Sequence, residues 1–135
     1  MNVRTIYLAE DDIDDQEFLQ DAFEQIDPSI NLVCFSSGLK FMRSLEDLSD
    51  QILPSLIVLD YNIPELNGEE ILQQLKGSLR YNDIPKIVWS TSDSHLYREN
   101  CLSFGAMAYL VKPSSINGII EIAREMLRYC QVKQN

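Results

Sequence analysis

Leu56-Ile57-Val58-Leu59-Asp60 decides the fold. Four apolar residues in succession, ending abruptly in an acid, read as a strand covered on both faces, because a half-exposed strand alternates apolar with polar. Strands of that kind belong to parallel sheets sandwiched by helices. The same pattern repeats outward in both directions. Upstream, Ile30 to Phe35 reads as a strand closed by Ser36-Ser37-Gly38, followed by a helical stripe of Phe41, Met42, Leu45 and Leu48. Earlier still, the run Thr5-Ile6-Tyr7-Leu8-Ala9 precedes Phe18, Leu19, Ala22, Phe23 and Ile26, spaced as one helix face until Asp27-Pro28.

Downstream, Gly68 opens a helix carrying Ile71, Leu72 and Leu75 that ends near Gly77. Ile84-Pro85 leads into a strand at Lys86-Ile87-Val88-Trp89. Asp93 is placed to cap a helix with Leu96, Tyr97, Cys101 and Phe104, which Gly105 closes. Met107 to Val111 is the last strand. The final helix bears Ile116, Ile119, Ile120, Ala123, Met126, Leu127 and Cys130. Strand followed by helix, five times over, predicts a parallel sheet with right-handed crossovers. Five units cannot close an eight-stranded barrel. An open, doubly wound (βα)5 sheet of the flavodoxin-like class is expected, as a single domain over residues 1–135.

Composition narrows the function classes. The chain of 135 residues carries 11 Lys and Arg against 21 Asp and Glu, a net charge of −10. A surface that acidic repels phosphate backbones and anionic lipids and favours cations and basic protein surfaces, so neither nucleic acid nor membrane is expected as a partner. No run approaches the 18 or so apolar residues of a membrane span. Met1-Asn2-Val3-Arg4-Thr5 has no signal-peptide layout, which predicts a cytoplasmic protein. Cys34, Cys101 and Cys130 are widely spaced and read as core or boundary residues in a reducing compartment. His95 is the single histidine, which excludes multi-histidine metal sites.

The polar residues at the strand ends carry the chemistry. Ligands of doubly wound sheets bind beyond the carboxyl ends of the strands. There the first strand presents Glu10-Asp11-Asp12, the third Asp60, the fourth Ser90-Thr91 and the fifth Lys112. The second ends in Cys34-Phe35-Ser36, with no titrating carboxylate or amine, as suits an outer strand in the order 2-1-3-4-5. Two carboxylates about 5 Å apart repel by about 3 kcal/mol at an effective dielectric near 20. Glu10, Asp11 and Asp60 together therefore call for a hard divalent cation, and few protein ligands with room for water suit Mg²⁺. Carboxylate, Mg²⁺, lysine and hydroxyl form a phosphoryl-handling set in which Asp60 is the nucleophile candidate. Each piece also has a structural reading: the acidic run as a helix cap, Asp60 as a turn, Ser90-Thr91 as a polar strand end, Lys112-Pro113 as a loop. Four strand ends with complementary groups favour the functional one.

The residues resemble the receiver domain of bacterial two-component response regulators. The resemblance runs through Ile6 to Asp12, Leu56 to Asp60, Asn62-Ile63-Pro64 with Asn67-Gly68, Ile84-Pro85 through Trp89-Ser90, Phe104-Gly105-Ala106, and Tyr109 to Pro113. It implies that Asp60 accepts a phosphoryl group from a sensor histidine kinase or a histidine phosphotransfer protein. It further implies that Asp11 and Asp60 bind Mg²⁺ directly, Glu10 through water, and Asn62 through its backbone carbonyl. Lys112 would pair with the carboxylate and then the phosphoryl group, across a cis bond to Pro113. Ser90 would be the switch hydroxyl, and Tyr109 the aromatic that turns into the space Ser90 vacates. Serine stands at 90 where threonine is commoner, and Tyr61, Asn62 and Ser92 occupy positions that influence phosphoryl lifetime.

Only one amphipathic helix follows Lys112-Pro113, which predicts a stand-alone receiver signalling to a downstream protein through helix four, strand five and helix five. Tyr97, Tyr109 and Tyr129 on that side equally suit a homodimer. Such a domain is a switch rather than an enzyme, at most catalysing its own phosphorylation and dephosphorylation. Two rivals are a pseudo-receiver scaffold, which usually lacks the acceptor, an acidic ligand or the lysine, and a Mg²⁺-dependent aspartyl-phosphate phosphohydrolase. The latter commonly has a second carboxylate two residues after the nucleophile, where this chain has Asn62. His95 reads as a solvated helix residue, and Trp89 as core.

Overall fold

The computed structural model describes residues 4–130, so Met1-Asn2-Val3, part of the expected lead-in, lie outside them. The elements alternate as β1 (Thr5–Ala9), α1 (Ile13–Ile26), β2 (Asn31–Phe35), α2 (Gly38–Asp47), β3 (Leu56–Asp60), α3 (Gly68–Lys76), β4 (Lys86–Ser90), α4 (His95–Ser103), β5 (Ala108–Val111) and α5 (Ile116–Tyr129). The strands form one parallel sheet in the order β2-β1-β3-β4-β5. β3 is central and all of its residues are buried, as its apolar run requires.

Alternation along each strand divides the core into two layers. Leu56 and Val58, with Ile6, Leu8, Ile87 and Trp89, meet Leu19 and Phe23 of α1 and Ile119, Ala123 and Met126 of α5. Ile57 and Leu59, with Tyr7, Ala9, Val88 and Tyr109, meet Phe41 and Leu45 of α2, Ile71, Leu72 and Leu75 of α3, and Cys101 of α4. α5 differs slightly from the sequence expectation: Ile116 stands out in solvent and Ile122 is buried in its place. α4 is capped by Ser94, whose hydroxyl accepts from the Tyr97 N–H at 3.2 Å, rather than by Asp93. Asp93 faces solvent and pairs with Arg98 at 3.5 Å. Gly105 ends α4 as expected, with φ at +104°.

The loop after β3 is fixed from several sides. Asn67 and Glu70 form a reciprocal capping box at the start of α3. Glu65 adopts φ +73°, and Leu66 N–H donates to the Pro64 carbonyl at 2.9 Å, closing a tight γ-turn. The start of α2 presses on this turn: Gly38 N–H donates to the Pro64 carbonyl at 3.0 Å. A Cβ on Gly38 would overlap the Leu66 carbonyl oxygen and Cβ. Gly38→Ala is therefore expected to lower stability by about 1–3 kcal/mol, read as a lower urea midpoint. An unchanged midpoint would show that α2 and the loop separate freely.

Candidate functional site

Side-chain parity assembles the site. Asp60 continues the side of β3 occupied by Leu56 and Val58, which faces α1 and α5. Leu8 on β1 and Leu110 on β5 face the same layer, so Glu10 and Lys112, two residues further along each chain, emerge on that side too. Trp89 lies between them at the end of β4. Lys112 then reaches over the indole, its ammonium 4.8 Å from the ring centroid, to the carboxylates beyond β1 and β3. α1 begins at this edge, capped by Asp12, whose carboxylate accepts from the Asp15 N–H at 3.0 Å.

The geometry is a knot of opposite charge. Lys112 Nζ lies 2.7 Å from Glu10 Oε1, 2.9 Å from Asp15 Oδ2 and 3.5 Å from Asp60 Oδ1. The other Glu10 oxygen accepts from the Asp12 N–H at 3.0 Å, and the Gln16 amide donates to the Glu10 carbonyl. Glu10, Asp11 and Asp60 each offer an oxygen, all within 4.8 Å of one another. Glu10 is wholly buried and Asp60 nearly so, while Asp11 faces solvent. Asn62 N–H donates to Asp60 Oδ1 at 3.4 Å.

Burial pushes the Glu10 carboxyl up to about 7, aided by the charge of Asp60, against the lowering effect of its bonds from Lys112 and Asp12. Burial alone would lower Lys112. Its bonds to Glu10 and Asp15, with the charges of Glu10 and Asp60, outweigh that and hold it firmly charged. One cation thus stands against three carboxylates within ion-pair range, with Asp11 adjoining. All-oxygen donors at this spacing suit a hard divalent ion.

The structure brings Glu10, Asp11, Asp60, Asn62 and Lys112 together around an open cleft of about 590 Å³, with Thr91 on its wall. Ser90 and Tyr109 lie apart from that wall. The Ser90 hydroxyl is buried and accepts from the Ser92 N–H at 3.1 Å. Tyr109 is already turned inward, its hydroxyl donating to the Ser92 carbonyl at 2.8 Å and its ring beneath the Arg98 guanidinium at 5.0 Å. One residue, Ser92, thereby holds both. No peptide bond among the described residues is cis, so Lys112–Pro113 is trans, contrary to the expectation from the resemblance. The lysine reaches the carboxylates from that backbone.

The acidic run divides by residue. Asp12 caps, Glu10 and Asp11 join the cluster, and Asp15 does something the sequence reading missed by binding Lys112. The signal was its place in the first turn of a helix that starts over the end of β1. Elsewhere the bland readings stand. His95 is exposed and 3.3 Å from Glu99. The cysteines are free, and burial raises all three thiols, Cys101 to about 12. No helix among the described residues is long and apolar enough to cross a membrane.

Comparison with known proteins follows the same lines. The rice (Oryza sativa subsp. japonica) two-component response regulator ORR5 is 33% identical over 86 residues, which span 64% of this chain and 64% of that protein. The crystal structure of the phosphorylated cyanobacterial phytochrome response regulator RcpA superposes with a TM-score of 0.86 at 23% identity, covering 97% of this chain and 99% of that one. The Mn²⁺-bound response regulator Rcp1 gives 0.81 at 24% identity over 90% of each chain. Both likenesses are of fold. The model of the response regulator receiver domain matches residues 6–124, and the chain belongs to that family.

Proposed function

We propose that this receiver domain is a phosphorylation-dependent switch in which Asp60 takes a phosphoryl group from the histidine of a sensor kinase or phosphotransfer protein. The observation that supports it is the convergence of Glu10, Asp11 and Asp60 on one point with Lys112 within 3.5 Å of Asp60. An Asp60 carboxylate oxygen attacks phosphorus, the phosphorus–nitrogen bond of the donor imidazole breaks, and that nitrogen takes up a proton. The product is an acyl phosphate.

The donor set fits Mg²⁺, with Asp11, Asp60 and the Asn62 carbonyl as direct ligands and Glu10 acting through water. The ion would offset the charge that the carboxylates and the phosphoryl oxygens accumulate at one place. Rcp1 binds Mn²⁺ in its crystal structure, which supports a divalent ion here. Lys112 stands ready to leave Glu10 for a phosphoryl oxygen. Asn62, two residues after the acceptor, carries no carboxylate to shuttle a proton, which speaks against a phosphohydrolase.

Ser90 and Tyr109 supply the switch. Drawn toward the phosphoryl group, the Ser90 hydroxyl releases the Ser92 N–H, and Ser92 also holds the Tyr109 hydroxyl through its carbonyl. Repacking of α4, β5 and α5 then changes the surface offered to a downstream protein or a second copy of the chain. Moving such a switch from mostly off to mostly on takes about 5.5 kcal/mol of differential stabilisation. Residues 1–135 act as one unit in the cytoplasm, with protein partners only.

Intact mass after incubation with Mg²⁺ and acetyl phosphate tests the acceptor. One phosphoryl adduct is expected in the wild type and none in Asp60→Asn or without divalent ion. An adduct that survives Asp60→Asn overturns the assignment; absence of one with both acetyl phosphate and a panel of phosphorylated kinases leaves the scaffold reading.

The raised Glu10 carboxyl predicts a pH dependence. Its stabilising contribution is complete below the ordinary value of 4.5 and is lost as pH rises through about 7, because the fold binds the proton more tightly than the unfolded chain does. Urea midpoints of the metal-free protein should fall between pH 5 and 8, by at most about 3 kcal/mol of stability. Glu10→Gln should flatten that fall. A wild-type profile no steeper than that of Glu10→Gln would contradict it.

A further inference from the structure

We infer that Asp15 is a positioning residue that competes with the acceptor for Lys112 and so sets how readily Asp60 is phosphorylated. The inference rests on the proposed phosphoryl chemistry of Asp60 and adds to it a group outside the acceptor, cation and switch residues. An ammonium has three N–H bonds. Glu10 at 2.7 Å and Asp15 at 2.9 Å each accept one, and Asp60 is left with an ion pair at 3.5 Å. Lys112 is thus drawn toward the α1 side of the cleft.

Asp15 does not drift in this arrangement. Its own N–H is tied to the Asp12 carboxylate at 3.0 Å, so the first turn of α1 fixes the backbone from which its side chain reaches Lys112. Its carboxylate is half-buried, less screened than one in open water. On the far side the Trp89 indole lies 4.8 Å from the ammonium and closes off retreat into the sheet. Lys112 can then move in one useful way, from Asp15 and Glu10 toward Asp60 and whatever phosphoryl oxygens gather there. Every bond that Asp15 keeps is one the phosphoryl group must displace. Asparagine is nearly isosteric but lacks the charge to hold the ammonium.

The test compares wild type, Asp15→Asn, Asp15→Glu and Asp14→Asn. Asp14 lines the same cleft and faces solvent, but it is not a partner of Lys112, so its variant controls for loss of one negative charge. With Mg²⁺ and acetyl phosphate, Asp15→Asn should form the adduct threefold to tenfold faster than wild type. Asp14→Asn should stay within twofold, and Asp15→Glu should restore the wild-type rate. Trp89 is the one tryptophan in the chain and touches the moving ammonium, so its emission in the metal-free protein should shift in Asp15→Asn and not in Asp14→Asn. Equal rates in Asp15→Asn and Asp14→Asn, or a slower Asp15→Asn, overturn the inference. If the wild type forms no adduct with acetyl phosphate or with the phosphorylated kinases, the phosphoryl reading fails by itself. The emission then decides: a shift specific to Asp15→Asn keeps Asp15 as the anchor of Lys112, and its absence removes it.

Discussion

A buried lysine shared among carboxylates is the constraint on which the site depends. Parallel strands bring Glu10, Asp11 and Asp60 to one edge of the sheet, and three such oxygens within 4.8 Å repel unless positive charge lies among them. Lys112 supplies part of it, crossing the end of β4 to do so. One charge against this many carboxylates leaves a deficit. That deficit is what the proposed divalent cation would offset. Removing Lys112 would leave the buried Glu10 carboxylate with the Asp12 N–H but no cation, the costly way to break such a pair.

The rest of the architecture holds this edge in register. β3 is buried on both faces, so Asp60 has little freedom. The loop after it is tied to α3 by the Asn67–Glu70 capping box and to α2 by the close approach of Gly38 to Leu66. On the other layer, Tyr61 stacks on Tyr97 of α4 with ring centroids 4.1 Å apart. A change at Asp60 therefore has direct neighbours, Tyr61 and Tyr97, through which to reach α4. Ser92 offers a second route, since its N–H and carbonyl serve Ser90 and Tyr109 respectively.

Much of this was legible in the residues. Apolar runs at strand length and stripes at helical spacing identified each element, and the strand-end rule picked out Glu10, Asp11, Asp60 and Lys112. What escaped depends on side-chain direction rather than on spacing. Asp15 could be read equally as a dipole-compensating acid, because only the pitch of α1 over β1 decides that it meets Lys112. Ser94 displaced Asp93 as a cap because neighbouring residues of similar capping strength differ by local backbone geometry alone. The expected cis bond before Pro113 came from resemblance, and no local pattern fixed it. Tyr109 was expected to turn inward on switching, yet its inward pose is held here by a hydrogen bond from its hydroxyl to the Ser92 carbonyl, a backbone partner that sequence does not reveal.

The charge deficit itself can be measured by titrating Mg²⁺ into the wild type and Lys112→Met by calorimetry at pH 8, with circular dichroism confirming that both are folded. If Lys112 neutralises part of the carboxylate cluster, removing it should tighten Mg²⁺ binding severalfold, because the cation then meets Asp11 and Asp60 without a competing ammonium. Equal or weaker binding in Lys112→Met would contradict the idea that lysine and cation share one set of carboxylates.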